Sequence, residues 1–267
     1  MRHLILGAGN MIQALTPPFI KSAQGDLFSV YTPSGKSAEA FARSQGITQQ
    51  RELVDLNNVN FLWLGMKPQQ VSGVAKSLSD FDFSKTVIVS LLAGVESERL
   101  SRLFDCPSVI RIMPNTPSLV GIGVNGIFFS SSVDEGRKSY FLKHFSQSVK
   151  DGKNYILDRE DQIDLITPYS GSGPAYFFEM ARILSEDLAR RGFDKTEALE
   201  LVSLTMKGAA QMLIESDDSA EVLRNKVTSK GGVTFEALKV LEENQLSSIM
   251  ERAIDAALKR NNELKEV

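Results

Sequence analysis

"LILGAGNMIQAL", residues 4–15, passes from an apolar run through two glycines into a helical pattern, which predicts a strand, a turn and a helix. In a nucleotide-binding turn the first glycine, here Gly7, permits the tight bend. The second, here Gly9, lets backbone amides approach a pyrophosphate at the positive end of the helix. The order of these elements favours dinucleotide binding over a turn with only a structural role.

The third position of this glycine pattern is Ile12, where glycine or alanine is usual. A larger side chain here must either push the first helix away from the strand or face a smaller residue on the opposite side. The two phosphate-facing glycines are intact, so the departure weakens the motif without removing it.

Strand and helix patterns alternate along the chain up to about residue 158. Apolar runs typical of strands occupy residues 3–6, 27–31, 61–66, 86–91, 109–113 and 122–129, and helical patterns occupy 10–21, 36–44, 68–78 and 96–104. This alternation is typical of an α/β fold with a doubly wound, mostly parallel sheet. We therefore predict an N-terminal Rossmann-type, dinucleotide-binding domain at residues 1–158.

Beyond residue 158 the strand patterns stop and long helical patterns take over. They cover residues 160–167, 174–191, 195–215, 220–227 and 234–259. We predict an all-helical C-terminal domain at residues 159–267. Apolar residues at helical spacing around residues 199–213 could serve the core of this domain or an interface between two subunits.

Composition excludes several other classes of protein. The chain has 267 residues, a net charge of −3, one cysteine and two distant histidines, so no spacing predicts a disulfide framework or a metal site. Acidic and basic residues are interspersed, without the basic stripe that nucleic-acid binding requires. Neither a secretion signal nor a long apolar segment is evident, so we expect a cytoplasmic protein without a membrane span.

The turn after the second strand, VYTPSGK at residues 30–36, indicates which dinucleotide is bound. It lacks the Asp or Glu that holds the ribose 2′-hydroxyl in NAD sites. Thr32, Ser34 and Lys36 instead offer hydroxyls and a cation, which suit a 2′-phosphate. The pattern favours NADPH, although such a turn would also tolerate NADH. The alternative is that these residues only form a turn and cap the next helix.

Two further strand ends should face the same crevice. LGMKP at residues 64–68 places Lys67 and Pro68 after one strand, and LLAGV at 91–95 places Ala93 and Gly94 after the next. Ligands of doubly wound sheets bind at the carboxyl ends of the strands. Small residues at these ends leave room for a nicotinamide ring.

The chemistry that remains possible is limited, since no Ser-His-Asp set or Cys-His pair is evident. Reduction of a protonated C=N bond can rely on positioning and one hydrogen bond. VTSKGGVTFEAL at residues 227–238 contains two glycines before a helix, whose exposed amides would favour a carboxylate. Ser229 and Thr234 add hydroxyls to this stretch. The alternative is a turn between helices, in which Ser or Thr acts as a cap.

Six motifs occur in order along the chain: GAGNM at 7–11, VYTPS at 30–34, MKP at 66–68, RIMPNTP at 111–117, SGSGPAYFF at 170–178 and VTSKGGVTFEAL at 227–238. GSGPAY followed later by Ser-x-Gly-Gly-x-Thr is quite specific to one family. The sequence resembles the pyrroline-5-carboxylate reductases, whose activity is the last step of proline synthesis. The resemblance covers nearly the whole chain.

This resemblance implies an NADPH-dependent reduction of 1-pyrroline-5-carboxylate, a small cyclic imine acid, to proline. The implied cofactor residues are Gly7, Gly9, Asn10 and Met11 at the pyrophosphate, Thr32 and Ser34 at the adenosine end, and Lys67, Pro68, Ala93 and Gly94 at the nicotinamide side. The implied substrate residues are Ser229, Gly231, Gly232 and Val233 at the carboxylate, Asp217 in a less defined role, and Thr234 as the catalytic hydroxyl near the ring nitrogen. The helical domain would build a homodimer or a larger homo-oligomer, and the active site would lie between the two domains.

Two residues of the glycine loop depart from the family pattern Ser-Pro-Gly-Gly-Thr-Thr. Lys230 replaces the proline and Val233 replaces the first threonine. Val233 can keep the backbone amide that a carboxylate needs, and we expect Lys230 to point to solvent. Two alternative functions stay open: reduction of another cyclic imine acid, such as pyrroline-2-carboxylate or a six-membered analogue, and non-catalytic sensing of NADP.

Overall fold

The computed structural model describes residues 1–265, and its first part alternates strands with helices as the sequence predicts. The strands are β1 (Arg2–Leu6), β2 (Leu27–Tyr31), β3 (Thr48–Gln49), β4 (Phe61–Leu64), β5 (Val87–Ser90), β6 (Ser108–Met113), β7 (Val124–Phe129) and β8 (Lys153–Leu157). The helices that accompany them are α1 (Asn10–Ser22), α2 (Lys36–Gln45), α3 (Val71–Ser77), α4 (Ser97–Phe104), α5 (Glu135–Phe145) and α6 (Asp161–Ile166).

The eight strands form one sheet in the order β3-β2-β1-β4-β5-β6-β7-β8. Neighbouring strands are parallel except for β6 and β7, which are antiparallel. The prediction of a doubly wound, mostly parallel sheet is therefore confirmed. The chain winds outward in opposite directions from β1 and β4, and the crevice beyond their carboxyl ends is where such sheets bind ligands.

Apolar side chains cover both faces of this sheet, because successive residues of a strand point to opposite sides. Ile5, Val30 and Trp63 belong to the core beneath α1, α2 and α5. Leu62 and Ile88 belong to the core beneath α3 and α4 on the other face. These two cores hold the carboxyl ends of β1 and β4 in fixed register, which positions the loops that follow them.

The structure corrects one predicted helix and adds the short strands β3 and β8, which the sequence did not predict. The sequence predicts one helix over residues 234–259, but the structure has two, α10 (Val233–Glu243) and α11 (Leu246–Lys265). Gln245 between them has φ of 55°, a left-handed conformation that ends α10. The helical spacing of apolar residues continues across this break and therefore hides it. β8 was also missed, because its half-exposed residues look like a connection.

The remaining helices are α7 (Gly173–Arg190), α8 (Lys195–Glu215) and α9 (Ala220–Lys226). The chain divides into two compact units: a first unit of Met1–Pro174 with Ala257–Val267, and a second unit of Ala175–Ala256. The predicted domain boundary at 158/159 falls within the first unit and stays a prediction about domain assignment. No helix in the described residues is long and apolar enough to cross a membrane.

A buried histidine lies near the start of β1, at the amino ends of the parallel strands, while the crevice lies at their carboxyl ends. His3 is fully buried, and its Nδ1 accepts a hydrogen bond of 3.2 Å from the Trp63 indole. Its Nε2 lies 3.0 Å from the Tyr140 hydroxyl, and that hydroxyl donates to Asp26. Burial lowers the pKa of His3 to about 3, against the opposing effect of Asp26. The imidazole is therefore neutral at physiological pH and has a structural role.

We expect acid to destabilise the protein through His3. The unfolded chain binds a proton near pH 6.5 and the folded chain only near pH 3, so the free energy of unfolding falls as pH decreases through that window. The slope from this one residue approaches about 1.4 kcal/mol per pH unit. Chemical denaturation at a series of pH values measures it.

The matched variants are His3→Gln and His144→Gln, one for each histidine. Burial also lowers the pKa of His144, so both histidines act in the same direction. We expect His3→Gln to flatten the pH dependence more than His144→Gln does, because His3 is the more deeply buried. Equal slopes in His3→Gln and the unmodified protein would contradict this account.

Candidate functional site

The turn after β1 requires glycine at its first position. Gly7 has φ of +100° and donates a backbone hydrogen bond of 2.9 Å to Tyr31. A Cβ added to Gly7 would lie 2.7 Å from the Gly65 carbonyl carbon, which is closer than real contacts allow. The positive φ of Gly7 and its close approach to Gly65, in the turn after β4, therefore both exclude a larger residue at position 7.

The second glycine of this turn is not required by the protein's own packing. A Cβ on Gly9 would come only within 3.8 Å of the Gly65 oxygen, an ordinary contact. Gly9 is the N-cap of α1, and no side chain of the described residues caps this helix. Asn10 and Met11 begin the helix, so their amides lie at the positive end of its dipole. Open space and uncapped amides are what a pyrophosphate needs.

Ile12 faces a smaller residue, Gly65, which is one of the two possibilities predicted from the sequence; the other was a displacement of the first helix. Ile12 is fully buried in α1, and a Cβ added to Gly65 would lie 2.2 Å from its Cγ1 atom. Gly65 thus supplies the space that a glycine or alanine would supply at position 12. The first helix stays close to the sheet because the two positions compensate each other.

The turn after β2 leaves polar groups exposed at the edge of the crevice. Gly35 donates a 3.0 Å backbone hydrogen bond to Thr32 and is itself the N-cap of α2. No side chain of the described residues caps α2, so Ser34 does not serve as the cap. Ser34 and Lys36 are exposed, while Thr32 is buried. A hydroxyl and a lysine therefore remain available at this turn for a phosphate.

A cleft of about 340 Å³ connects these turns within the first unit. Its apolar walls come from Leu6, Tyr31, Leu53, Met66 and Val74, and its other lining residues are Gly7, Thr32, Pro33, Gly65, Lys67, Gln70, Gly73 and Ser77. An apolar cleft with a few polar groups is typical of a site for a flat heterocycle. The structure thus brings together three of the predicted cofactor residues, Gly7, Thr32 and Lys67. The lining residues from the loop before β4 and from α3 were not predicted from the sequence.

The two remaining strand ends carry the residues expected on the nicotinamide side. Lys67 is exposed, and Pro68 opens a single helical turn in which the Lys67 amide bonds the Gln70 side chain at 3.2 Å. Gly94 follows β5 with φ of +73°, next to the half-buried Ala93. These residues lie at the carboxyl ends of β4 and β5, the edge of the sheet to which the sequence analysis assigned them.

An ionic cluster at the start of α4, built around the buried Arg111, was not predicted from the sequence. Arg111 is 1% exposed, and its Nη1 lies 2.7 Å from the Glu160 carboxylate. That carboxylate also accepts a hydrogen bond of 2.6 Å from the Ser97 amide, at the start of α4. An arginine within the apolar strand SVIRIM was the available signal, because a buried charge needs a partner.

The glycine loop of the second unit ends in an open helix N-terminus. Gly231 has φ of +72°, and Gly232 donates a 2.9 Å hydrogen bond to the Ser229 carbonyl. A Cβ on Gly232 would lie 2.4 Å from the Ser229 Oγ, which can rotate away, and 3.1 Å from the Ser229 carbonyl oxygen, so the turn is tight at this position. Gly232 is the N-cap of α10, and no side chain of the described residues caps it. Val233 and Thr234 are exposed in its first turn, where amides and the dipole favour an anion.

The alternative role for the glycine loop was a turn in which Ser or Thr caps the next helix, but the N-cap of α10 is Gly232. Thr234 lies inside α10, one residue after the first helical position, and so does not act as its cap. Lys230 is exposed, in keeping with its expected direction toward solvent. Asp217 is exposed in the connection between α8 and α9, and nothing in its surroundings defines a role for it.

Two family descriptions match the chain. "Pyrroline-5-carboxylate reductase dimerisation" matches residues 160–264, and "NADP oxidoreductase coenzyme F420-dependent" matches residues 3–94. The first match covers α6 to α11 almost completely. The second covers the turns after β1 and β2 and the strand ends that border the cleft.

Curated relatives and solved structures match over the whole length. The pyrroline-5-carboxylate reductase of Haemophilus influenzae is 34% identical, with 99% of this chain and 98% of the relative covered. That of Staphylococcus aureus strain MSSA476 is 30% identical, with 100% and 99% covered. The solved Coxiella burnetii pyrroline-5-carboxylate reductase has a TM-score of 0.83 at 30% identity, covering 99% of this chain and 98% of that one.

A further solved structure shares the fold. The Plasmodium falciparum pyrroline carboxylate reductase, solved with NADP bound, has a TM-score of 0.85 at 24% identity and covers 99% of this chain and 98% of its own. The Haemophilus and Staphylococcus relatives are 34% and 30% identical to this chain over nearly its whole length. The chain belongs to the pyrroline-5-carboxylate reductase family.

Proposed function

We propose that this protein is an NADPH-dependent reductase that converts 1-pyrroline-5-carboxylate to L-proline, the last step of proline biosynthesis. The observation that carries the proposal is the match over the whole chain to curated pyrroline-5-carboxylate reductases. The uncapped turns before α1 and α10 support it, because each offers backbone amides to an anionic group.

NADPH would be held by three parts of the first unit. The amides after Gly7 and Gly9, at Asn10 and Met11, would bind the pyrophosphate. The apolar cleft would take the adenine, with Thr32, Ser34 and Lys36 at the 2′-phosphate. Lys67, Pro68, Ala93 and Gly94 would border the nicotinamide. When bound, NADPH supplies the hydride for the reaction.

The glycine loop of the second unit would hold the substrate. The amides of Gly232 and Val233, with Ser229 and Gly231 shaping the turn, would bind the carboxylate. Reduction of the protonated imine forms a C–H bond at C5 and moves the electron pair of the C=N bond onto the ring nitrogen, which already carries its proton. The Thr234 hydroxyl would form a hydrogen bond to that nitrogen and orient the ring. Asp217 is proposed only as a peripheral contact of the substrate.

The experiment that tests this function follows the loss of reduced nicotinamide in the presence of purified protein and a panel of substrates. We expect saturable turnover with pyrroline-5-carboxylate that exceeds turnover with pyrroline-2-carboxylate and with piperideine carboxylates. Preference for one of the latter would point to another cyclic imine acid. Binding of NADPH without turnover of any of them would favour the non-catalytic sensor.

The choice of cofactor can be tested at the turn after β2. We expect Lys36→Ala to raise the KM for NADPH by about tenfold, the value of one charge-assisted contact, and to leave the KM for NADH unchanged. The control is Lys143→Ala, an exposed lysine outside the cleft. Equal KM changes for the two cofactors would remove Lys36 from the 2′-phosphate site.

We further infer that the second unit mediates assembly into a homodimer or a larger homo-oligomer in the cytoplasm. Several of its large apolar side chains are exposed, including Phe178 at 67%, Leu204 at 60% and Ile214 at 74%. Apolar surface on this scale marks an interface between proteins. Sedimentation velocity measures the assembly, and a monomer at micromolar concentration would contradict it.

A further inference from the structure

The first helical turn of α4 is held by a residue far along the chain. Glu96 is the N-cap of α4, but no local side chain caps the helix. The amide of Ser97 instead donates a 2.6 Å hydrogen bond to Glu160, and the Ser97 hydroxyl bonds the other oxygen of the same carboxylate. An Asp or Ser at position 96 could cap the helix locally. A cap from Glu160, the residue before α6, also ties the start of α4 to another part of the first unit.

Glu160 is in turn oriented by a buried arginine of the sheet. Arg111 Nη1 lies 2.7 Å from the Glu160 carboxylate, and Nη2 lies 3.7 Å from Asp164. Nη2 has no hydrogen-bond partner among the described residues, so the cluster is not optimised for stability alone. Burying an arginine and its partners costs free energy that apolar packing would avoid. Such an arrangement suggests a role in positioning.

A second link reaches the adjacent residue of the same turn. Lys265 Nζ lies 2.7 Å from Asp164 and 3.2 Å from Glu96. Asp164 also accepts a 3.2 Å hydrogen bond from Asn261. Glu96, which ends the turn after β5, and Ser97, which begins α4, are thus both connected to one cluster. At its other end the turn is anchored to the sheet, where Leu91 donates a 3.1 Å backbone bond to Leu64.

We propose that Glu160, oriented by Arg111, is a positioning residue for the turn at residues 91–96, and that it thereby sets the place of the nicotinamide ring beside Ala93 and Gly94. This inference rests on the proposed function, which assigns that turn to the nicotinamide. Glu160 touches neither the cofactor nor the substrate in this account. A displacement of about 1 Å between reacting groups can cost about a hundredfold in rate.

The test compares Glu160→Gln with Asp161→Asn, the same change at an exposed neighbour on α6 that pairs with Arg159. We expect Glu160→Gln to lower kcat at least tenfold and Asp161→Asn to leave it within about twofold. Binding of 2′,5′-ADP, which reports the adenosine end alone, should be unchanged in both. The emission anisotropy of bound NADPH, which reports immobilisation of the nicotinamide, should fall only in Glu160→Gln.

A double variant separates positioning from a purely structural role. If Glu160 acts through Ser97, the kcat of Ser97→Ala/Glu160→Gln should equal that of Glu160→Gln alone. The proposal would be overturned if the two substitutions lowered kcat independently, so that their effects multiplied in the double variant. A loss of 2′,5′-ADP affinity together with a lowered Tm would also overturn it. An unmodified protein that turns over no imine acid contradicts the proposed function instead. The anisotropy and 2′,5′-ADP measurements still decide the role of Glu160 in that case.

Discussion

Replacing Gly65 by alanine should lower NADPH affinity at least tenfold and destabilise the first unit by about 1 to 3 kcal/mol, the usual cost of overpacking a core. The added Cβ would lie 2.2 Å from Ile12 Cγ1 and 2.7 Å from Cδ1. Ile12 is fully buried, so the side chain cannot move aside without displacing α1. The amides that would bind the pyrophosphate belong to this helix, and they would move with it. Isothermal titration with NADPH and chemical denaturation measure the two effects.

The second-site variant Ile12→Ala tests whether the contact itself is the cause. Ile12→Ala alone leaves a cavity and costs about 2 to 4 kcal/mol. In the double variant the alanine at position 65 fills part of that space, so stability and NADPH affinity should recover above both single variants. Gly208→Ala is the control, since nothing lies within 4 Å of its added Cβ. NADPH affinity in Gly65→Ala equal to that of the unmodified protein would show that the helix N-terminus is not the phosphate site.

The second large effect is expected at Thr234. Thr234→Val keeps the shape of the side chain and removes the hydroxyl, so kcat should fall about tenfold to a hundredfold, the value of a hydrogen bond to a charged group. The KM for NADPH should not change, because the cofactor is held by the first unit. Thr234 is exposed at the start of α10, and its replacement should leave the free energy of unfolding within about 0.5 kcal/mol.

Two control substitutions, one at Thr234 and one at the nearby Thr228, sharpen this test. Thr234→Ser retains the hydroxyl and should keep most of the turnover. Thr228→Val removes a hydroxyl that is engaged in a 2.7 Å bond to the Arg224 carbonyl, and it should leave kcat within about twofold. Full turnover in Thr234→Val would exclude this hydroxyl from the mechanism, and the loop amides alone would then orient the substrate.

Much of the first unit could be predicted because its signals are local. Gly7 needs a positive φ and Gly9 needs open space, and both needs are met within one short turn. The alternation of strands and helices followed from apolar periodicity. The volume of Ile12 limited the possibilities to two, a displaced helix or a small residue opposite, but the sequence could neither choose between them nor identify that residue as Gly65.

Features that depend on distant residues could not be predicted. Ser97 and Glu160 are 63 positions apart, and no periodicity connects them. The apolar wall of the cleft includes Leu53, from a connection without regular structure. The break at Gln245 leaves the helical spacing unchanged on both sides, so only the backbone conformation reveals it. Periodicity records which face of an element is buried, and it does not record which distant residue meets that face.

The compensation between Ile12 and Gly65 also constrains how the chain can evolve. A change to alanine at position 65 is blocked while isoleucine occupies position 12, because the two side chains would overlap. A change of Ile12 to alanine is costly but sterically open, and it makes the alanine at position 65 acceptable afterwards. The order of the two steps is therefore not interchangeable. Descendants of this sequence can therefore reach alanine at both positions only through the less stable Ile12→Ala intermediate.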